Sequence, residues 1–182
     1  LIKNAGRPVK VLNLFAYTGG ATVACASAGA EVTHVDSAKA MVERAGENVR
    51  LSGLTDAKVR YIIDDCLKFV RREIKRGRKY DAIIMDPPSF GRGPNGEMWK
   101  IEDNLFSLIR ETKEVLSDNP LFYLLNSYTT GLQPTVMANI LKLALGKNAI
   151  IDADEIGLAT QEGLILPQGC TAFATFANRC TD

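Results

Sequence analysis

The sequence predicts an α/β fold built on a doubly wound, mostly parallel sheet. Short apolar runs rich in β-branched residues alternate with helical stripes through five β–α units. The last two apolar runs have no helical period between them, so they predict a closing pair of strands antiparallel to one another. A length of 182 residues is enough for one substantial core and gives no reason for a second.

The elements follow in order. A strand over 11–15 ends at Tyr17-Thr18-Gly19-Gly20 and passes to a small-residue helix over 21–28. A strand over 31–36 precedes a helix over 38–51, whose Met41, Val42, Ala45 and Val49 fall close to one stripe. Strand 59–63, helix 67–75 and strand 80–85 complete the next units. A Gly/Pro-rich loop over 91–96 leads to a helix over 103–116 with Leu105, Leu108, Ile109, Thr112 and Leu116 on one face. Strand 121–125 and helix 134–145 come next, then strands 149–156 and 171–177 joined by a loop over 157–169. Right-handed crossovers leave few topologies for this order, and a Rossmann-like sheet of seven strands is the natural one.

Composition excludes little. Lys and Arg number 22 against 21 Asp and Glu, so net charge makes no case for or against a nucleic-acid partner. No apolar run approaches a membrane span, and no signal-peptide pattern opens the chain. Cys25, Cys66, Cys170 and Cys180 form no Cys-x-x-Cys pair, and with His34 as the single histidine no metal cluster is expected. Cys25 reads as a small buried thiol; Cys170 and Cys180 could pair only if the ends of the last run meet. The cysteine pattern suits a reducing cytoplasm. Oligomeric state leaves no mark in the sequence.

In a doubly wound sheet, ligands sit beyond the carboxyl ends of the strands, near the point where strand order reverses. The first βα turn, Leu14-Phe15-Ala16-Tyr17-Thr18-Gly19-Gly20, lets a ligand approach glycine backbone and offers the N–H groups of the next helix to a carboxylate. Asp36 ends the second strand, where a carboxylate can accept both hydroxyls of an adenosine ribose. Asp65 and Cys66 follow the third, placed to meet an adenine edge through a side-chain acceptor and a backbone N–H. Each acid has a plainer role as a helix N-cap; the three strand ends together favour one adenosine-containing ligand. A dinucleotide needs Gly-x-Gly-x-x-Gly at this turn, and it is absent there. The pattern at 91–96 lies too far after its strand, contains Pro94, and reads as a loop. The ligand could be a dinucleotide or S-adenosylmethionine (SAM), and the missing fingerprint disfavours the dinucleotide.

The stretch Met85-Asp86-Pro87-Pro88-Ser89-Phe90 leaves the fourth strand through an acid and two prolines. Proline lacks an N–H and pushes the residue before it into an extended conformation. The turn is stiff, with an acid and carbonyls that few neighbouring donors can reach. It reads as an acceptor site that positions a nucleophile, with a plain rigid strand end as the simpler alternative. Asp86 and the Pro87 carbonyl would orient an amine, and Phe90 would stack on a base extruded from its helix. Trp99, at a helix start, reads as packing. His34 reads as a packed, hydrogen-bonded histidine, and the basic run 71–79 as a solvated helix end with RNA contact as its alternative.

Asn13-Leu14-Phe15-Ala16-Tyr17-Thr18-Gly19, Val35-Asp36, Asn48-Val49-Arg50-Leu51-Ser52-Gly53, Asp65-Cys66 and Asp86-Pro87-Pro88-Ser89-Phe90 resemble, in order, the motifs of class I SAM-dependent methyltransferases. The likeness is strongest to the bacterial 23S large-subunit ribosomal RNA methyltransferases, with their cytosine-C5 and guanine-N7 branches. The resemblance implies that SAM is held by Phe15, Ala16, Tyr17, Thr18 and Gly19, by Asp36, Ser37 and Asn48, and by Asp65 and Cys66. It implies a catalytic turn of Asp86, Pro87, Pro88 and Phe90, with Asp86 beside the sulfonium. It further implies an RNA substrate, rRNA processing as the task, and no metal.

Two departures qualify it. The cytosine-C5 branch carries a cysteine nucleophile after the fifth strand, where this chain reads Leu125-Asn126-Ser127-Tyr128; transfer to a base nitrogen is therefore favoured. Family members carry RNA-binding regions ahead of the first strand, and almost nothing precedes Val11, so residues 1–182 are expected to be a single catalytic domain lacking that region. The competing expectations are methylation of a small molecule or protein, a nicotinamide-dependent oxidoreductase, and a cofactor-binding fragment inactive alone.

Overall fold

The computed structural model describes residues 1–92 and 98–176. Its main sheet is seven-stranded, in the order β3-β2-β1-β4-β7-β9-β8. The strands are β1 (Lys10–Leu14), β2 (Glu31–Asp36), β3 (Val59–Ile63), β4 (Ala82–Met85), β7 (Phe122–Ser127), β8 (Ala149–Ala159) and β9 (Ile165–Phe176). Only β9 runs against the rest, pairing antiparallel with both β7 and β8. A separate hairpin, β5 (Phe90–Arg92) with β6 (Met98–Lys100), follows β4. The helices are α1 (Gly20–Ser27), α2 (Lys39–Leu51), α3 (Cys66–Lys75), α4 (Ile101–Lys113) and α5 (Pro134–Leu145). This is the doubly wound sheet expected, with its antiparallel closing pair.

Burial explains the layering. Leu12, Leu14, Ile83, Met85, Tyr123 and Leu125 point to one face, where α3, α4 and α5 cover them with Phe69, Leu105, Leu108, Ile109, Met137 and Leu141. Val11, Val32, Ala82, Ile84 and Phe122 point to the other, against Cys25 and Ala26 of α1. Both faces of β4 are therefore apolar, and so are those of β1 apart from the buried Asn13, which is why these strands read as hydrophobic runs. Burying one such side chain is worth about 1.5–3 kcal/mol. The Tyr123 hydroxyl, deep in the core, meets Thr112 Oγ1 at 2.6 Å and donates to Met85 Sδ at 3.5 Å, joining α4, β7 and β4.

At the amino end of the sheet Asp81 accepts from the Lys10 N–H (2.8 Å) and Ser117 Oγ (2.9 Å) and pairs with Arg7 (2.7 Å). Although burial opposes ionisation, these three contacts hold its pKa below the usual carboxylate value. The chain reverses its winding between β1 and β4, which lie side by side with Leu14 opposite Met85. That reversal point aims the ends of β1 and β4 at a common place.

Three expectations are corrected. The loop over 157–169 is largely strand: β8 and β9 continue as a two-stranded ribbon, with Leu158 opposite Leu166, beyond Cys170, the residue at which the pairing of β9 with β7 begins. Leu158, Ile165 and Leu166 are exposed there, so no buried face marks the strand in the sequence. The helix over 103–116 begins and ends earlier, at Ile101–Lys113, because Leu116 is drawn into a bridge with Tyr80. Trp99 stands on β6 rather than at a helix start. The stretch 93–96 of the expected loop and Cys180 lie outside the described residues.

Candidate active site

The first turn is shaped by left-handed backbone. Phe15, Tyr17 and Gly19 have φ of 53°, 48° and 84°, and only the glycine adopts that region without strain. A Cβ on Gly19 would lie 2.8 Å from the Ala45 Cβ, so the glycine lets α1 and α2 approach. The other two are held from outside. The Phe15 N–H donates to Cys66 Sγ at 3.3 Å, and the Tyr17 N–H donates to Asp36 at 2.9 Å. Asn48 Nδ2 donates to the Thr18 carbonyl at 2.8 Å, which gives the asparagine of α2 a turn-holding role that the sequence did not supply. Ala16 is buried, and its N–H donates to the Val35 carbonyl at 3.1 Å.

Beneath the turn lies a buried polar chain. Asn13 Nδ2 donates to Thr22 Oγ1 at 3.0 Å, and Thr22 Oγ1 meets His34 Nδ1 at 2.9 Å. Burial pushes the His34 pKa down, against the pull of Asp36, and its Nε2 has no hydrogen-bond partner among the described residues. His34 is thus the packed histidine expected, fixing the start of α1 through Thr22.

The Asp36 carboxylate accepts from the Tyr17 and Ala38 N–H groups, one on each oxygen. Ser37 next to it is exposed. Asp36 pairs with Ile63 at the end of β3, and its carbonyl accepts the Asp64 N–H at 3.0 Å, bringing Asp65 alongside. Asp65 caps α3 by accepting the Lys68 N–H at 2.8 Å. The Cys66 thiol is buried, and burial pushes its pKa far up. It is a neutral packing group beneath Phe15.

Asp86 follows the Leu14–Met85 pair directly, so it adjoins Phe15. It is exposed, yet the protein packed around it raises its pKa by desolvation. Pro87 is buried. The turn is clamped on its far side. Trp99 Nε1 donates to the Pro88 carbonyl at 2.6 Å while its ring packs on Phe15, centroids 5.7 Å apart. The Ser89 carbonyl accepts from the Ile101 N–H at 3.1 Å, and Ser89 Oγ meets Thr129 Oγ1 at 2.7 Å. Among the described residues the Asp86 carboxylate and the Pro87 carbonyl are left without a donor. Phe90 stands open at 65 % exposure.

The start of α1 is likewise open. Gly19, at its N-cap, provides no side-chain cap, and a Cβ on Gly20 would meet nothing within 4 Å. Free N–H groups beside empty space suit a carboxylate. Set against known proteins, the family profile for S-adenosylmethionine-dependent methyltransferases matches residues 2–128. The chain belongs to that family.

Its relatives fit the same picture. The methyltransferase is 42% identical over 82 residues to ribosomal RNA large subunit methyltransferase I of Klebsiella pneumoniae, covering 44% of this chain and 20% of that one. It is 35% identical over 121 residues to ribosomal RNA large subunit methyltransferase K/L of Shewanella frigidimarina, covering 65% and 17%. The chain thus spans about a fifth of the length of these curated relatives. The SAM-dependent methyltransferase from Agrobacterium tumefaciens superimposes with a TM-score of 0.89 at 37% identity, over 96% of this chain and 58% of that one. SMU.776, a methyltransferase solved with SAH, gives 0.79 at 25% identity over 97% and 47%.

SAM is the cofactor of the family, and the residues present are compatible with it: the uncapped start of α1 would take its carboxylate, and the Asp36 carboxylate at the end of β2 would accept its ribose hydroxyls. Among the described residues no group of three or more His, Cys, Asp and Glu could hold a metal ion. No helix there is long and apolar enough to cross a membrane.

Proposed function

We propose that this domain methylates a base nitrogen in ribosomal RNA by direct in-line transfer from SAM, with residues 1–182 acting as one catalytic domain in the cytoplasm. One observation carries the proposal: two unpartnered acceptors, the Asp86 carboxylate and the Pro87 carbonyl, sit on a clamped turn beside exposed Phe90, next to the cofactor turn. Bound SAM supplies a methyl group on a sulfonium, a good leaving group. The chain's task is alignment, which can supply several orders of magnitude. An amine whose N–H bonds are held by Asp86 and Pro87 aims its lone pair at the methyl carbon; a ring nitrogen needs no base at all. Phe90 offers a face on which an extruded base stacks.

Carbon methylation through a covalent adduct needs a thiolate at the end of β7, and none stands in Leu125-Asn126-Ser127-Tyr128. Cys170 pairs across from Ser127, but partial burial, Glu155 and Asp154 raise its pKa, which keeps it a thiol. The ribosomal substrate is supported by the names of the two curated relatives.

Incubation with methyl-labelled SAM and unmodified ribosomal RNA, followed by nucleoside chromatography, is expected to yield an N-methylated base. Cys170→Ser should leave the rate unchanged. A C5-methylated cytosine whose formation fails in Cys170→Ser would overturn the proposal. A second reading, a small apolar substrate, has its own observation. A cavity of about 410 Å³, lined by Leu105, Phe106, Leu132 and Val136, opens beside Thr129 and hence beside the clamped turn. Label transfer to a small-molecule extract but to no RNA would favour it.

A further inference from the structure

The basic run 71–79 does not act as a unit. Arg71 pairs with Glu111 at 2.7 Å, Arg72 with Asp64, and Arg76 with the buried Glu73 at 3.0 Å. Those three guanidiniums are committed to the fold. Arg78 and Lys79, past the end of α3, turn toward the amino ends of β1 and β3 and meet cations from elsewhere in the chain. Lys10, Lys58, Arg60, Arg78 and Lys79 line one groove of about 580 Å³, against two carboxylates, Glu31 and Glu73.

The pairings leave a surplus of positive charge. Lys58 is matched by Glu31 at 2.7 Å. Glu73 accepts from the Tyr80 hydroxyl at 2.7 Å and stands 3.8 Å from Arg60, so this buried carboxylate orients one guanidinium on the groove's wall. Lys79 Nζ donates to the Glu114 carbonyl at 2.8 Å, which orients it without neutralising it. Lys10 and Arg78 are exposed and make no ion pair among the described residues, although Lys10 lies near enough to Glu31 for its charge to help lower that acid's pKa. Fixed cations on the walls and free ones between them are what a run of phosphates requires.

We propose that this groove binds the phosphodiester backbone of the RNA substrate, at the edge of the sheet opposite to Asp86. The proposal rests on the RNA reading above and adds a second contact to it. The two edges are separated by the length of β1, five residues or about 16 Å at 3.3 Å each. A substrate held at both edges must extend well beyond the target nucleotide. Phosphate contacts here would set register and strength of binding and leave the choice of base to the catalytic edge.

The test is a fluorescence-anisotropy titration of a labelled ribosomal RNA fragment against the wild type and Lys10→Glu/Arg78→Glu, across a salt series. Lys142→Glu/Arg110→Glu, with the same charge change on exposed helix faces, is the control. The groove variant is expected to bind about tenfold more weakly, with the slope of log K against log salt reduced by about 0.7–0.9 for each lost contact. The control should match the wild type, and SAH affinity should be equal in all three. Equal RNA affinity and slope in wild type and groove variant would overturn the proposal while leaving the RNA reading in place. A wild type that binds SAH but no RNA would overturn both. Polyglutamate bound as tightly as RNA would reassign the groove to an acidic protein.

Discussion

Replacing Gly19 by alanine tests how the cofactor turn is built. At φ 84° a side chain costs about 1–2 kcal/mol in backbone strain alone. The new Cβ would sit 2.8 Å from the Ala45 Cβ and 3.3 Å from its Cα, against a comfortable carbon–carbon separation of about 3.5–4.0 Å. Helix α2 has to give way, and overpacking of that kind costs about 1–3 kcal/mol. The sum is about 2–5 kcal/mol, a large share of a typical stability of about 5–15 kcal/mol. For a chain of this size it corresponds to a Tm lowered by roughly 4–20 °C. Urea unfolding followed by the fluorescence of the single tryptophan, Trp99, reads it directly, with a lower midpoint at unchanged slope. Gly20→Ala is the companion, because its Cβ meets nothing within 4 Å. It should leave stability intact or slightly raised and weaken SAH binding by filling space beside the α1 start. A Gly19→Ala variant within about 0.5 kcal/mol of wild type would refute the close approach of α1 and α2. A Gly20→Ala variant that binds SAH normally would place the cofactor carboxylate elsewhere.

Other consequences can be measured separately. Asp86 has a raised pKa; if its ionised form is the acceptor, activity rises with pH as Asp86 loses its proton, and Asp86→Asn removes that limb from the pH–rate profile and lowers the rate about a hundredfold without changing SAH affinity. Asp81 behaves in the opposite sense: its pKa is depressed in the fold, so its stabilisation is present above its unfolded pKa and is lost as pH falls through the folded one. Asp81→Asn should destabilise the protein by about 1.5–3 kcal/mol at neutral pH and flatten its acid unfolding curve; unchanged acid sensitivity would count against this. Trp99→Phe keeps the ring on Phe15 but removes the donor to the Pro88 carbonyl. It should lower kcat and cost about 1 kcal/mol of stability, and an unaltered kcat would remove the clamp from catalysis.

The β–α order was legible because strands covered on both faces read as apolar runs: Ala82–Met85 is unbroken, and Val11–Leu14 is interrupted by the buried Asn13 alone. The distal ribbon was not, because Leu158, Leu164, Ile165 and Leu166 are exposed and a loop and a solvent-bathed strand look alike without a buried face. In the site, Asp36, Asp65 and Asp86 could be placed from their positions at strand ends. The clamp could not, since Trp99 acts on a backbone carbonyl that has no residue identity to read. The cationic groove was equally hidden: its residues come from β1, β3 and the α3–β4 connection, and within the basic run the partners that set paired arginines apart from Arg78 range from Glu73, inside the run, to Glu111 on α4.

Phe15 and Tyr17, held at positive φ, carry a consequence for how the protein meets its ligand. Each costs about 1–2 kcal/mol, and the Cys66 thiol and the Asp36 carboxylate hold that conformation before any ligand arrives. Folding therefore bears the cost of ordering the turn, and docking need only freeze the ligand's own torsions. A linear peptide spanning β1 and the turn, deprived of those two supports, would relax to ordinary dihedral angles and lose the shape. The template for recognition thus belongs to the whole sheet, although its visible signature is a handful of consecutive residues.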